Sequence, residues 1–407
     1  MTRIMGWTAL VLLSLAASSA GAAPAAAPEV VKARQFFFGA ENVDARSGAV
    51  DKDKVVFSWL TNSTILASVK GRIVLLDTYI HRAETAPGRT PFVVEDLISL
   101  KPEAIFLGHG HFDHADNAAF LSASLGIPIY ASAETCRDMQ TDAQNLYNAG
   151  TIRVWTVDCR EVTSSGSTPG SEIVVIPQLE PVACITAFRH LHSTTVPKDP
   201  DFPITPVKNI ADPRDPDMYP PGTAHSFPAF RGAGGPISIF YQFVTRDDNR
   251  FTFVWHNTSG ALKEGCSLDR SPPNCWGKAV GDQVTNLIKS LPPTDVEFGS
   301  MVSLGYAVNG MRDPIMYNLA VHPKVYIPVH QTNAALPTSS LYFKVAYLTQ
   351  LDQMNVAAGD RPEARWMVDP DDYLRPMVYD PKDRRWAKPR TRSEGPCGDH
   401  DEGDHDE

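Results

Sequence analysis

Nowhere in this chain is there an apolar run long enough to cross a bilayer. Its 37 basic residues are scattered among 47 acids, the formal net charge is −10, and no basic stripe tracks along any segment. A nucleic-acid partner is therefore not expected. None of the six cysteines stands in CxxC spacing, which argues against a cysteine metal site. No internal repeat is found.

What is present begins with MTRIMGWTALVLLSLAASSAGA: one early arginine, a short apolar run, and a small-x-small step at Ala20-Gly21-Ala22. This reads as a signal peptide over residues 1–22, which predicts an exported, periplasmic or secreted protein with no membrane attachment after cleavage. Export makes disulfides expected. Cys266 with Cys275, flanking a short loop, is the first pair predicted, and Cys136 with Cys159 the second. The oligomeric state is not legible.

After a lead segment, 23–50, the pattern reads as one large domain over 51–380. VVFSWL and ILASVKGRIVLLDTY suggest early strands with a hairpin turn at Lys70-Gly71. AIFL predicts a buried strand, NAAFLSASLG a helix stopped by Gly126, IPIYAS a strand, and ETCRDMQTDAQNLYNAG a helix stopped by Gly150. Strands follow at EIVVIP, ACITAF, ISIFYQFV and FTFVWH, and a second alternating half runs to SSLYFKVAYLTQL. Early strands followed by alternation, twice, predict an α/β architecture of two packed sheets with helices outside. Residues 197–236 break the pattern with ten prolines, which remove backbone donors and forbid a central strand. Residues 381–407 form an acidic tail ending in GDHDEGDHDE, expected to be disordered.

The densest chemistry is LGHGHFDHADN, Leu107–Asn117, which places three of the chain's 12 histidines within six residues. In extended backbone His109 and His111 point to one side. Asp113 and His114 come one tight turn later, from another direction. Imidazole and carboxylate are ligands for zinc and similar ions. One loop could thus start two neighbouring metal sites.

HGHFDH resembles the H-x-H-x-D-H signature of the metallo-β-lactamase superfamily, and the surrounding pattern resembles it over most of residues 54–345. The resemblance implies an αββα four-layer sandwich of two mixed β-sheets flanked by helices, with metals at one edge. It implies a first zinc ion held by His109, His111 and a histidine after the ACITAFRHLHS strand. His190 and His192 are both candidates there, and His192 is preferred. It implies a second ion held by Asp113, His114 and His330, the last at the end of KVYIPVH. His322 is read as a surface residue. Where the family ends a strand in Gly-Asp, this chain has His256 and Asn257. Without that bridging acid the second ion would be weak or absent, unless His256 turns inward as a ligand. Asp77 matches an acid expected to sit behind a ligand histidine, and Asn62 lies in a loop beside the expected site.

A three-histidine metal keeps an open position and acidifies a bound water to about pH 7. The predicted activity is a metal-dependent hydrolase acting on an ester, lactone, phosphodiester or similar bond of a small molecule. Asp113 orients the nucleophile or takes its proton. The proline-rich insertion is expected to wall the site, with Tyr219, His225 and Phe227 as substrate contacts. The alternatives are a metal-binding member altered so that hydrolysis is lost, and an iron redox protein. β-Lactamase activity is not expected.

Overall fold

The computed structural model describes residues 25–80, 92–199, 235–269, 275–301, 306–330, 338–367, 372–388 and 395–398. The signal-peptide reading of 1–22, most of the insertion with Tyr219, His225 and Phe227, and residues 399–407 lie outside the described residues.

Fourteen strands form two sheets among the described residues. The first holds β14 (Met377–Tyr379), β1 (Val55–Thr61), β2 (Thr64–Val69), β3 (Arg72–Leu76), β4 (Ala104–Phe106), β5 (Ile129–Ser132) and β6 (Cys159–Thr163), in that spatial order. The second holds β13 (Glu363–Ala364), β12 (Val325–Val329), β11 (Val296–Ser300), β10 (Thr252–His256), β9 (Ser238–Thr245), β8 (Ala183–His190) and β7 (Val174–Ile176). Each is mixed in the same way. Pairings from β14 through β3 are antiparallel and those from β3 through β6 parallel. Pairings from β7 through β10 are antiparallel and those from β10 through β13 parallel.

Side-chain alternation explains how the layers stack. Along β1, Val55, Phe57 and Trp59 face the second sheet, while Val56 and Leu60 face outward, and every position is buried. Between the sheets Phe57 meets Phe253 and Phe298 at ring separations of 4.8 and 4.7 Å. Truncating such a residue to alanine costs about 3–5 kcal/mol. Helices Pro28–Phe38, Val94–Leu100, Ala118–Leu125 and Ala133–Asn148 cover the outer face of the first sheet. Lys278–Ser290 and Arg312–Val321 cover the second. This is the four-layer α/β sandwich expected.

Local signals account for the turns. Lys70 and Gly71 both adopt positive φ, 52° and 86°, between β2 and β3, the two-residue hairpin geometry that suits strand twist. Gly126, at φ 68°, ends the helix Ala118–Leu125.

Three disulfides join Cys136–Cys159, Cys266–Cys275 and Cys184–Cys397. The first two are the pairs expected. The third ties residues 395–398 to β8. With Trp386 also buried in the inter-sheet core, the described part of the 381–407 segment packs on the body, which continues past 380. The lead segment contributes Phe37 and Phe38 to the layer beneath its helix.

The topology positions the site. β3, β4, β8, β10 and β12 all end at one edge, where Asp77, His109, His192, Asn257 and His330 follow. Ligand crevices of α/β sheets form at such carboxyl ends of strands.

Candidate metal centre

The HGHFDH loop leaves β4 through Gly108. A Cβ there would lie 2.3 Å from the Asn257 side chain, so no larger residue fits beside it. The Gly108 amide donates to Asp77 Oδ1 at 3.1 Å. Phe112–Ala115 then forms one helical turn, which swings Asp113 and His114 away from His109 and His111.

Two triads of side chains result: His109, His111 and His192, and Asp113, His114 and His330; the donor atoms of each group lie within 4.8 Å of one another. His109 Nε2 lies 3.0 Å from His111 Nδ1 and 3.3 Å from His192 Nε2. His114 Nε2 lies 3.1 Å from His330 Nε2, and Asp113 Oδ2 is 3.6 and 3.5 Å from those two nitrogens. Zinc–imidazole bonds near 2.0–2.1 Å in a tetrahedron put neighbouring donors roughly 3.3 Å apart. Both triads therefore fit a small divalent ion. His109, His114 and His192 form the floor, 0–4% exposed. The side chains of Asp113 and His330 are 27% and 21% exposed and form the open rim.

A set of polar groups behind the triads fixes which nitrogen faces forward. His109 Nδ1 donates to Asn257 Oδ1 at 2.8 Å. His114 Nδ1 donates to Asp77 Oδ2 at 2.6 Å. His192 Nδ1 donates to its neighbour's carbonyl, Ser193 O, at 2.7 Å. Each bond leaves Nε2 as the lone-pair atom, the tautomer a ligand needs. Asp77 Oδ2 also accepts from Ser63 Oγ at 2.7 Å and Asn257 Nδ2 at 2.8 Å.

The remaining predicted residues are sorted by strand face. β8 ends at His190, so alternation stops there, and His190 and His192 do not share an orientation. His190 lies among Phe240, His256 and Tyr317, with Nδ1 3.1 Å from the Tyr317 hydroxyl. His256 points the same way. Its Nδ1 is 2.9 Å from Thr258 O, and its Nε2 2.9 Å from Glu297 Oε1. The structure thus places both outside the triads, and His256 does not turn inward. Asn257 presents its amide to the rear of the rings instead of to their forward nitrogens. His322 is on the surface, its side chain 64% exposed.

Asn62 has a larger part than its loop position suggested. Its Nδ2 donates to Asp113 O at 2.8 Å, and its own carbonyl accepts from His330 N at 3.0 Å. Sequence reasoning missed Thr258 and Ser267, whose hydroxyls accept from Ser193 N and His192 N. Nothing local marks them, because the chain meets itself there only after folding.

Burial, reinforced by its histidine neighbours, holds His109 well below its ordinary value. Burial likewise takes His111 down to about 3, and His192 and His330 to about 4. Burial alone would raise Asp113, but His114, His330 and His111 outweigh it and hold the carboxyl at about 2. His114 goes up: burial opposes this, and Asp113 and Asp77 prevail. The centre is thus mostly neutral imidazole with one ionised carboxylate, a ligand set in its binding form.

Residues 58–201 match the family model of the metallo-β-lactamase superfamily. No curated protein matches. Among solved structures, the chain is similar to Igni18, a novel metallo hydrolase from the hyperthermophilic archaeon Ignicoccus hospitalis KIN4/I, at 12% identity, covering 80% of this chain and 98% of that one with a TM-score of 0.44. It is similar to Zn(2+)-bound PqqB from Methylobacterium extorquens at 12% identity, 84% and 90% coverage and a TM-score of 0.38. It is also similar to CmlA, a diiron beta-hydroxylase from Streptomyces venezuelae, at 11% identity, 80% and 54% coverage and a TM-score of 0.40. The HGHFDH loop lies inside the segment, residues 58–201, that matches the metallo-β-lactamase superfamily.

Proposed function

We propose that the chain is a two-metal hydrolase, with zinc as the expected ion, cleaving an ester, lactone, phosphodiester or similar bond of a small molecule. The observation that carries this reading is the pair of adjacent triads, each complete without a donor from Asn257. The lack of an acid at that position therefore does not cost the second triad its third donor. A bound divalent ion would supply an acidified water and polarise the substrate oxygen. The chain's own residues do the rest. His109, His111, His192 and His330 hold neutral nitrogens toward the centre, and His114 turns its Nε2 the same way. Asp113, ionised and on the rim, orients the attacking water and accepts its proton through the carboxylate oxygen not committed to the second triad. The open rim beside Asp113 and His330 is where substrate enters.

Export to the periplasm or beyond is part of the proposal. Three disulfides support it, and among the described residues no helix is long and apolar enough to cross a membrane.

Elemental analysis of the purified chain, paired with an ester, lactone and phosphodiester panel, tests the reading. The expected result is two zinc ions per chain and chelator-sensitive turnover. Zinc without turnover on any of the panel would instead indicate the catalytically altered member, and visible absorption with bound iron the redox protein.

A further inference from the structure

Asn257 stands where the resemblance leads one to expect a bridging carboxylate. Its amide is two-faced. Oδ1 accepts from His109 Nδ1 at 2.8 Å, Nδ2 donates to Asp77 Oδ2 at 2.8 Å, and Nδ2 also lies 2.9 Å from His114 Nδ1. It thus touches the rear of one ring from each triad. It is fully buried and lies where a Cβ on Gly108 would be, so it cannot swing toward the forward nitrogens without repacking that contact.

We infer that Asn257 is the positioning residue that locks the two triads to one another, and that this position requires an amide and rejects a carboxylate. The reason is donor–acceptor balance. Asp77 Oδ2 is an acceptor, and the group facing it at 2.8 Å must bring a hydrogen; His109 Nδ1–H needs an acceptor at the same time. One amide satisfies both. An aspartate would set two acceptor oxygens against each other where both side chains are fully buried and poorly screened. The inference rests on the triads holding metal, and it reverses the expectation that an acid at 257 would improve the centre.

The test is a polarity swap read in the chelator-treated chain and by cobalt(II) titration. Asn257→Asp should lower the unfolding midpoint of the metal-free chain and weaken cobalt binding about 10- to 100-fold, the usual effect of losing a group behind the ligands. Adding Asp77→Asn restores a donor facing an acceptor, with the roles exchanged. The double variant should regain part of the metal-free midpoint, while cobalt affinity stays low because the amide nitrogen that Asp77→Asn introduces cannot accept from His114 Nδ1 as Asp77 Oδ2 does. Tighter cobalt binding by Asn257→Asp alone would overturn the inference and show a bridging ligand instead. A metal-free midpoint of the double variant no higher than that of Asn257→Asp would overturn it as well. If the wild type binds neither cobalt nor zinc, the metal reading fails by itself; the metal-free midpoints still decide the amide linkage.

Discussion

Nε2 of His114 lies 3.1 Å from Nε2 of His330, across 216 residues of sequence. His330 reaches that point through a positive φ of 67° and a backbone bond to Asn62. Its Nδ1 is buried with no partner among the described residues, so the ring's polar contacts there are those at Nε2. His330→Ala should therefore remove one ion and leave the other, because His109, His111 and His192 are untouched. Elemental analysis should show the count fall from two per chain to one. An unchanged count would mean that the second triad is not a metal site.

Gly108 gives a steric test. A methyl group there must displace the Asn257 amide, because the nearest atoms would be 2.3 Å away and belong to a fully buried side chain. Gly108→Ala should destabilise the chain by about 1–3 kcal/mol, the usual cost of overpacking, and lower metal affinity as His109 loses its acceptor. Denaturant unfolding and a zinc competition titration would both register the change. Loss of stability with unaltered zinc affinity would separate the packing role of Gly108 from the site.

The HGHFDH loop was legible because all its ligands are local and their spacing matches the backbone that carries them. His330 was legible as a strand end. His190 and His192 could not be separated by alternation, since the answer depends on where β8 stops, and that is set by contacts from elsewhere. Ser267 bonds the His192 amide, and Gly260 leaves room for Leu191 and His192, whose atoms would be 2.5–2.8 Å from a Cβ there. The same holds for Asn257. Its identity as an unexpected amide was visible in the sequence, but its direction was not, because Asp77, Gly108 and His109 come from two other strand ends. The sandwich was readable from the order of strands and helices. The polar composition of the 381–407 segment reads as a tail, while one buried tryptophan and one cysteine determine where residues 381–388 and 395–398 pack.

The Cys184–Cys397 bond closes a loop of 213 residues, and Cys266–Cys275 one of only 9. In the chain-entropy account a long loop gives the larger constraint on the unfolded state. Replacing Cys184 and Cys397 by serine should cost about 2–5 kcal/mol and release residues 395–398 from β8. Replacing Cys266 and Cys275 should cost less. Urea unfolding of both double variants, with and without reductant, checks the order. Equal losses would show that strain or packing outweighs loop length here.

Asp313 should give the stability of this chain an unusual pH dependence. Its carboxyl is 1% exposed and faces Arg312, which is itself wholly buried. Arg312 is shared: it also binds Asp199 at 2.6 Å and Glu264 at 2.8 Å, and Lys263 adds a second cation on Asp199 at 2.7 Å. Asn309 lies 3.5 Å from Asp313. Three carboxylates thus compete for two cations in a buried place. Burial pushes Asp313 from 3.8 up to about 6, against the pull of Arg312. The folded chain then keeps a proton that the unfolded chain has released, so this contribution to stability is complete below about pH 4 and is lost as pH rises through about 6. Each pH unit of displacement is worth about 1.4 kcal/mol, which puts the ceiling on the order of 3 kcal/mol. Asp113, held at about 2, titrates below this window, but His192 and His330, held at about 4, add stability as pH rises through it, so the Asp313 contribution is read as the difference between wild type and variant. Asp313→Asn stays neutral throughout, so the unfolding free energy of the wild type should fall relative to that of the variant between pH 4 and 7. If denaturant titrations across that range give the variant the same slope as the wild type, Asp313 is ionised in the fold and Arg312 has prevailed over burial.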